Sequence, residues 1–198
     1  PIKISIMSSK VKIIAEAGVN HNGNLKLAYR LIDAAKFAGA DYVKFQTGIP
    51  ELSISKYAKK AKYQIKTTKK KESQLQMVKR ITLPLSCFYK LKKYSKKKKI
   101  NFLSSPFDEI SLKYLKKLNI EYIKVASGEI INYPLIKKIA KSKKKIILST
   151  GMSTMKEIGN AFKILKKNGA RTITLLQCNT EYPTPYEHVN LKAMLTMK

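Results

Sequence analysis

The feature of this sequence that most constrains its fold is a regular alternation of short apolar runs with longer segments of helical periodicity. The apolar runs cover residues 11–16, 41–46, 100–104, 121–125, 145–149 and 172–176. Each run is mostly apolar rather than alternating, which is typical of parallel strands covered by helices on their outer face. Repeated βα units of this kind predict either a doubly wound sheet or a (β/α)8 barrel.

Helix start and stop signals stand between the predicted strands. Asp108 and either Ser153 or Thr154 are predicted to be N-cap residues, and Glu157, three positions after Thr154, completes a capping-box pattern. Gly39 and Gly169 follow helical segments and predict helix ends at glycine. Local signals therefore support the same order of elements as the periodicity.

Polar residues at the ends of the predicted strands favour the barrel. These ends carry Glu16, Lys44, Gln46, Ser104, Ser105, Lys124, Ser127, Ser149, Thr150, Gln177 and Asn179. In a barrel all carboxyl ends of the strands converge on one mouth, where such side chains form an active site. A doubly wound sheet would instead concentrate glycines in its first turn, but residues 18–23 do not match GxGxxG.

The length suggests part of a barrel. Six units in 198 residues take about 33 residues each, whereas a barrel of eight units usually needs about 250. We therefore expect residues 11–198 to form a partial TIM-barrel domain, made of the N-terminal six βα units of a (β/α)8 fold. The last barrel strands are expected to lie outside these residues.

The net charge of +29 is the unusual property of the composition. Residues 56–99 alone hold seventeen Lys and Arg residues and one acid, Glu72. Two explanations stay open, namely solvated helix faces and ends, or weak attraction for polyanions. No docking helix or stacking platform for nucleic acid is recognisable.

Cys87 and Cys178 lack CxxC spacing and are expected to be free thiols. The sequence shows neither a secretory signal nor an apolar run long enough to cross a membrane, which predicts a cytoplasmic protein.

Taken alone, the strand-end residues describe a pocket for an anion. Lys44 and Lys124 lie at the ends of apolar strands, where a charge is costly unless it binds a partner or a ligand. Glu16 and Glu129 could transfer protons or could simply be those partners. The serine and threonine hydroxyls could contact a ligand or cap helices. His21 and His188 have no second ligand at metal spacing, so structural or surface roles are predicted for both.

Long motifs also resemble the sialic acid synthase family, and most closely its bacterial N-acetylneuraminate and legionaminate synthases. They are IAEAGVNHNG (14–23), DYVKFQT (41–47), KYQIKTT (62–68), ESQLQM (72–77), FLSSPFDE (102–109), IKVASGEIINYPLIKKIA (123–140), ILSTGMST (147–154) and LLQCNTEYPTPYEHVNLKAM (175–194). The resemblance implies a metal-dependent condensation of phosphoenolpyruvate with an open-chain N-acetylmannosamine-type sugar, with release of phosphate by C–O cleavage. The acceptor of a legionaminate synthase, 2,4-diacetamido-2,4,6-trideoxymannose, is the alternative.

The resemblance also implies roles for ten residues. The positions that match phosphoenolpyruvate-binding residues are Lys44, Ser105, Lys124, Ser127 and Ser149. Those near the sugar and the reacting carbons are Glu16, Gln46, Glu129 and Tyr182, and Thr180 matches a polar position of the phosphate loop. Glu129 is the first candidate for proton transfer and Glu16 the second.

Further expectations follow from the rest of the family pattern. The divalent metal, Mn or Mg, is held in the family by two histidines on later strands, and an antifreeze-like domain of the partner subunit completes the sugar site. Both are expected to be absent from these 198 residues, which are therefore expected to be inactive alone. The chain departs from the family pattern at Gln177, where relatives commonly have His, and at Ser105, where the usual Ser-Thr-Pro-Phe reads Ser-Ser-Pro-Phe. A homodimer is expected at full length, with no membrane and no specific nucleic acid as partners. The alternatives are a non-catalytic, polyanion-binding fragment and a different phosphoenolpyruvate-condensing barrel.

Overall fold

Six parallel strands form one sheet in a computed structural model that describes residues 11–61, 64, 65, 68 and 71–198. The strands are β1 (Ile14–Gly18), β2 (Tyr42–Thr47), β3 (Asn101–Pro106), β4 (Tyr122–Val125), β5 (Lys145–Ser149) and β6 (Ile173–Leu176). All six predicted strands are confirmed, with boundaries that shift by up to three residues. Parts of the motif at 62–68 and of the lysine run at 69–71 lie outside the described residues.

The strand order decides between the two predicted architectures. The order is β1-β2-β3-β4-β5-β6, so each strand pairs with its neighbours in the chain and all pairs are parallel. A doubly wound sheet reverses its order at a switch point, whereas a barrel adds strands in sequence. The described sheet therefore has the order of a (β/α)8 barrel, and closure by two further strands stays a prediction.

Helices connect the strands. They are α1 (Leu25–Phe37), α2 (Pro50–Ser53), α3 (Gln74–Ile81), α4 (Leu85–Lys97), α5 (Glu109–Lys117), α6 (Tyr133–Ala140), α7 (Met155–Lys167) and α8 (Ala193–Met197), with 3-10 turns at Ser127–Glu129 and Tyr186–His188. The predicted cap at Asp108 is confirmed, because its side chain accepts a hydrogen bond from the backbone N–H of Ser111. Of the two candidates Ser153 and Thr154, the cap is Thr154, which forms a capping box with Glu157. No helix in the described ranges is long and apolar enough to cross a membrane.

The C-terminal ends of α1, α4 and α7 share one hydrogen-bonded motif. After α1, the residue at the left-handed position is Gly39 (φ +77°), and the N–H of Ala40 donates to the carbonyl of Ala35 at 3.1 Å. The equivalent left-handed positions are Gly169 after α7 and Lys99 after α4, where φ is +56°. The two glycine stops are thus confirmed, and the third such stop uses a lysine.

Side chains of the strands alternate between two buried faces. Phe45, Ile123 and Leu148 pack in the main core with residues of the helices. A second, smaller cluster, centred on Tyr42 and Leu103, covers the other face at the beginnings of the strands. Because both faces of the sheet are apolar there, the strands do not show in the sequence the alternation of apolar and polar residues that a strand with one exposed face would show. On the second face the apolar layer gives way to polar residues toward the carboxyl ends.

Candidate active site

One cavity of about 1100 Å³ lies at the carboxyl ends of the strands. Nine of the ten predicted site residues line it, namely Glu16, Lys44, Gln46, Ser105, Lys124, Ser127, Ser149, Thr180 and Tyr182. They come from β1, β2, β3, β4, β5 and the segments after β4 and β6. Parallel strands bring their carboxyl ends to one edge, which is why residues so distant in sequence meet here.

Lys44 joins two of the predicted residues. Its Nζ lies 2.9 Å from Oε2 of Glu16 and 3.5 Å from Oγ of Ser105. The Lys44 side chain is largely buried, while half of the Glu16 side chain is exposed. Glu16 is therefore the ion partner of Lys44, and its exposed half also leaves it open to a ligand. Ser104 is turned to the opposite face, where its Oγ hydrogen bonds to the carbonyl of Phe45.

Lys124 is the most deeply buried cation of the cavity. Its Nζ donates to the carbonyl of Val125 at 2.8 Å and to Oγ of Ser149. Burial, together with the nearby charge of Lys44, lowers the pKa of Lys124 to about 8. A cation held in this way, without a carboxylate in hydrogen-bond contact, is favourable for binding an anion.

Ser127, Gly151 and Cys178 form a compact group beside this lysine. The N–H of Gly151 donates to Oγ of Ser127 at 3.0 Å and to Sγ of Cys178 at 3.3 Å. A Cβ at Gly151 would lie 3.0 Å from both Ser127 Oγ and Thr180 Cγ2, so only glycine fits without displacing them. The loop after β5 is thus packed tightly against those after β4 and β6.

Cys178 is a residue of the cavity that sequence reasoning assigned to packing alone. Burial tends to raise the pKa of its thiol, but hydrogen bonds from Ser149, Ser127 and the amides of Thr150 and Gly151 outweigh this and lower the pKa. The sequence did carry one sign of a place in the site, because Cys178 lies two residues after β6. The donors come from two other strand ends, so their convergence on Sγ was not visible in the sequence.

Glu129 is the predicted residue that does not line the cavity. It ends the 3-10 turn Ser127–Glu129, and its Oε2 accepts a hydrogen bond from Nδ2 of Asn132 at 2.8 Å. Burial raises the pKa of Glu129, although the bond from Asn132 opposes this. Gly128, one residue earlier, does reach the cavity. The catalytic role of Glu129 therefore stays a prediction without a direct contact to support it.

Helix α3 supplies a wall of the cavity that the sequence analysis did not assign. Met77, Arg80 and Ile81 line it, and the Arg80 guanidinium binds Glu72 through Nε at 3.2 Å and Nη2 at 2.8 Å. A Cβ at Gly23 would approach the carbonyl of Arg80 to 2.7 Å, so the turn after β1 touches this helix directly. The wall is therefore apolar, with its cation already paired.

The described residues do not offer a metal site. Within those residues, no three His, Cys, Asp or Glu side chains are grouped closely enough to hold a metal ion. His21 is fully buried and stacked on Phe45, whereas His188 is exposed and faces Glu181 at 3.1 Å. His21 thus has the position of a core side chain and His188 that of a surface side chain, and the roles predicted for them stay predictions.

A family model and several known proteins match this chain in sequence. A family model described as the NeuB family matches residues 31–198. The chain is 54% identical over 191 residues to an N,N'-diacetyllegionaminic acid synthase from Campylobacter jejuni, covering 96% of the chain and 57% of the relative. It is 32% identical to the human N-acetylneuraminate-9-phosphate synthase, covering 92% of the chain and 50% of the relative. The chain thus spans about half the length of these relatives.

A solved structure supports the same relationship. The N-acetylneuraminic acid synthetase of Leptospira borgpetersenii superposes with a TM-score of 0.80 at 35% identity, covering 94% of this chain and 61% of that one. The family match, the sequence relatives and this structure show that the chain belongs to the NeuB family, the sialic acid synthase family that its motifs resemble.

Proposed function

We propose that the protein containing this chain condenses phosphoenolpyruvate with an open-chain N-acylated amino sugar to form a nonulosonic acid. The observation that carries the proposal is the convergence of Lys44, Lys124 and the hydroxyls of Ser105 and Ser149 on one cavity. Phosphoenolpyruvate presents a phosphate and a carboxylate, and cations with hydroxyl donors suit both groups.

The proposed reaction forms a C–C bond between the two substrates and breaks the C–O bond to phosphate. C3 of the enol forms a bond to the aldehyde carbon, whose oxygen takes up a proton, and a water oxygen forms a bond to C2 after losing a proton to a base. The new C2 hydroxyl then loses its proton as its oxygen forms the carbonyl double bond, the bond between C2 and the phosphate oxygen breaks, and phosphate leaves with the bridging oxygen and takes up that proton. Lys124 and Ser149 hold the negative charge of the substrate, and Glu16 moves a proton at the aldehyde oxygen or at the attacking water. Mn or Mg held by residues of the complete protein outside the described ones stays a prediction.

Two sugars are candidates for the acceptor substrate. Identity is 54% to the legionaminic acid synthase and 35% to the N-acetylneuraminic acid synthetase of Leptospira borgpetersenii, which favours 2,4-diacetamido-2,4,6-trideoxymannose over N-acetylmannosamine. The apolar side chains of Met77 and Ile81 on the cavity wall suit a sugar with a deoxy carbon. N-acetylmannosamine is the second candidate.

The test measures phosphate release from phosphoenolpyruvate with Mn(II) and each sugar offered separately. The complete reading frame that contains the chain is compared with the 198 residues alone. We expect release by the complete frame with one sugar, and silence from the 198 residues. When the bridging oxygen of the substrate is ¹⁸O, the phosphate should carry the label, because C–O cleavage leaves that oxygen on phosphorus.

A matched pair of variants ties the activity to the cavity. Lys124→Gln should lower the rate by roughly 100-fold or more, since it removes a preorganised charge. Lys113→Gln, on the exposed face of α5, should leave the rate unchanged. Silence from a folded, metal-supplied complete frame with both sugars would overturn the proposed function.

A further inference from the structure

A basic ring surrounds the end of the sheet that is opposite the cavity. We define this basic ring as the segments 36–41, 96–100, 116–121, 137–145 and 166–172, which run from the helix ends into β2, β3, β4, β5 and β6. Together they hold sixteen Lys and Arg residues and two acids, Asp41 and Glu121. Nearly half of the formal net charge of +29 is therefore placed on one sixth of the residues.

The topology of the fold creates the ring. All six strands are parallel, so every segment from a helix to the next strand enters at the same edge of the sheet. Basic segments separated by between 15 and 54 residues in the sequence thus become neighbours around one end of the molecule. Basic segments that are dispersed along the sequence are therefore gathered by the fold on one face of the molecule.

Helix dipoles and ion pairs explain only part of this charge. Lysines in a last helical turn interact favourably with the helix dipole, but Lys99 occupies a left-handed position where glycine or asparagine is favoured. Among the described residues, three lysines of the ring have a carboxylate partner: Lys98 with Asp33, Lys138 with Glu109 and Lys145 with Glu121. The acids of the ring are too few to neutralise the others.

The type of residue indicates the kind of partner. Fifteen of the sixteen cations of the ring are lysines, which act as point charges and lack the bidentate geometry with which arginine recognises phosphates and bases. Phe37, next to Lys36 at the end of α1, is 95% exposed. Clusters of Lys and Arg are attracted to anionic lipid surfaces, and segments that lie on a bilayer combine such cations with Trp, Phe or Leu side chains that enter it.

We propose that the basic ring binds the surface of a bilayer rich in anionic lipids. A flat surface can contact the loops on all sides of one end of the sheet at once, with Phe37 inserted between headgroups. The cavity at the carboxyl ends of the strands then faces away from the lipid and stays open to substrates. This departs from the expectation of a protein without a membrane partner, and it does not depend on the proposed reaction.

The test is sedimentation of the complete reading frame with vesicles of phosphatidylcholine alone or with about 30 mol % phosphatidylglycerol. Binding should require the anionic lipid and should weaken steeply between roughly 50 and 500 mM NaCl. A ring variant, with Lys97, Lys117, Lys141 and Lys167 each changed to Gln, should bind at least about tenfold more weakly. All four side chains are exposed.

A matched control variant carries the same change of charge at the other end. Lys26, Lys56, Lys156 and Lys192 are exposed on segments that follow the carboxyl ends of strands, and changing each to Gln should leave vesicle binding nearly unchanged. Thermal melting of both variants checks that they fold. An equal loss in the two variants would overturn the proposal, because net charge rather than the ring would then control binding.

A second variant distinguishes lipid from other polyanions. Phe37→Ser should weaken binding to anionic vesicles several-fold and should leave binding to duplex DNA unchanged. Binding of DNA that matches or exceeds binding of anionic vesicles at the same phosphate concentration, or no effect of Phe37→Ser on vesicles, would also overturn the proposal.

Discussion

Lys124 shows at the scale of one residue how binding and stability oppose each other. A pKa lowered from 10.5 to about 8 means that the charged form costs roughly 3 kcal/mol in the folded protein. The unfolded state binds more protons between pH 8 and 10.5, so this contribution makes stability rise with pH across that window and leaves the full cost in place at neutral pH. We predict that Lys124→Met raises the melting temperature and abolishes binding of phosphoenolpyruvate.

The same pKa gives a pH profile for the ligand. Binding of the anion favours protonated Lys124, so the affinity for phosphoenolpyruvate, measured by calorimetry, should fall as the pH rises above about 8. Lys113→Met is the control, and it should change neither affinity nor its pH profile. An affinity that is constant from pH 7 to 10 would contradict the role given to Lys124.

Cys178 is predicted to be the more reactive of the two thiols. The hydrogen bonds that lower its pKa increase its thiolate fraction at neutral pH, and it lines the cavity. Iodoacetamide should therefore alkylate Cys178 faster than Cys87, as followed by mass spectrometry, and phosphoenolpyruvate should slow the reaction at Cys178 alone. Cys87→Ser isolates the signal of Cys178. Equal rates at the two thiols, with no protection by the ligand, would contradict this prediction.

At the scale of elements, the end of α4 offers a stability test. Lys99 takes a left-handed conformation that the same motif in α1 and α7 gives to glycine. Lys99→Gly should therefore stabilise the protein by about 0.5–1 kcal/mol in urea unfolding. Lys93→Gly, an exposed position inside α4, is the matched control and should destabilise it by about 1 kcal/mol. If both substitutions destabilise the protein, the strain assigned to Lys99 is absent.

The strands and helix caps also show how much of the structure could be predicted from the sequence. The six strands and the caps at Asp108 and Thr154 were predictable because apolar runs and capping residues act locally. Nine site residues were predictable because each lies in the carboxyl-terminal part of a strand or in the segment that follows it. Glu129 was not, since the short turn after β4 directs its carboxylate to Asn132. The wall formed by α3 was not either, because it depends on a distant contact between Gly23 and Arg80.

For the 198 residues as one molecule, pairing at the sheet edges favours association and repulsion between net charges opposes it. Within the described residues β1 and β6 each pair with one strand, and β6 is only partly buried whereas β5 is buried along most of its length. Unpaired backbone groups at such edges favour pairing with another copy of the chain. The net charge of +29 opposes this by repulsion between copies, and salt screens that repulsion.

We therefore predict that the 198 residues associate more strongly as salt increases, the reverse of the trend expected for vesicles. Sedimentation velocity at roughly 50 and 500 mM NaCl measures this. Thr174→Lys places a charge on the exposed part of β6 and should reduce association, whereas Thr196→Lys adds the same charge on α8 and should reduce it less. A monomer at both salt concentrations, with a cooperative melting transition, would show that the edges are not the sites of contact and that the sheet is stable without further strands.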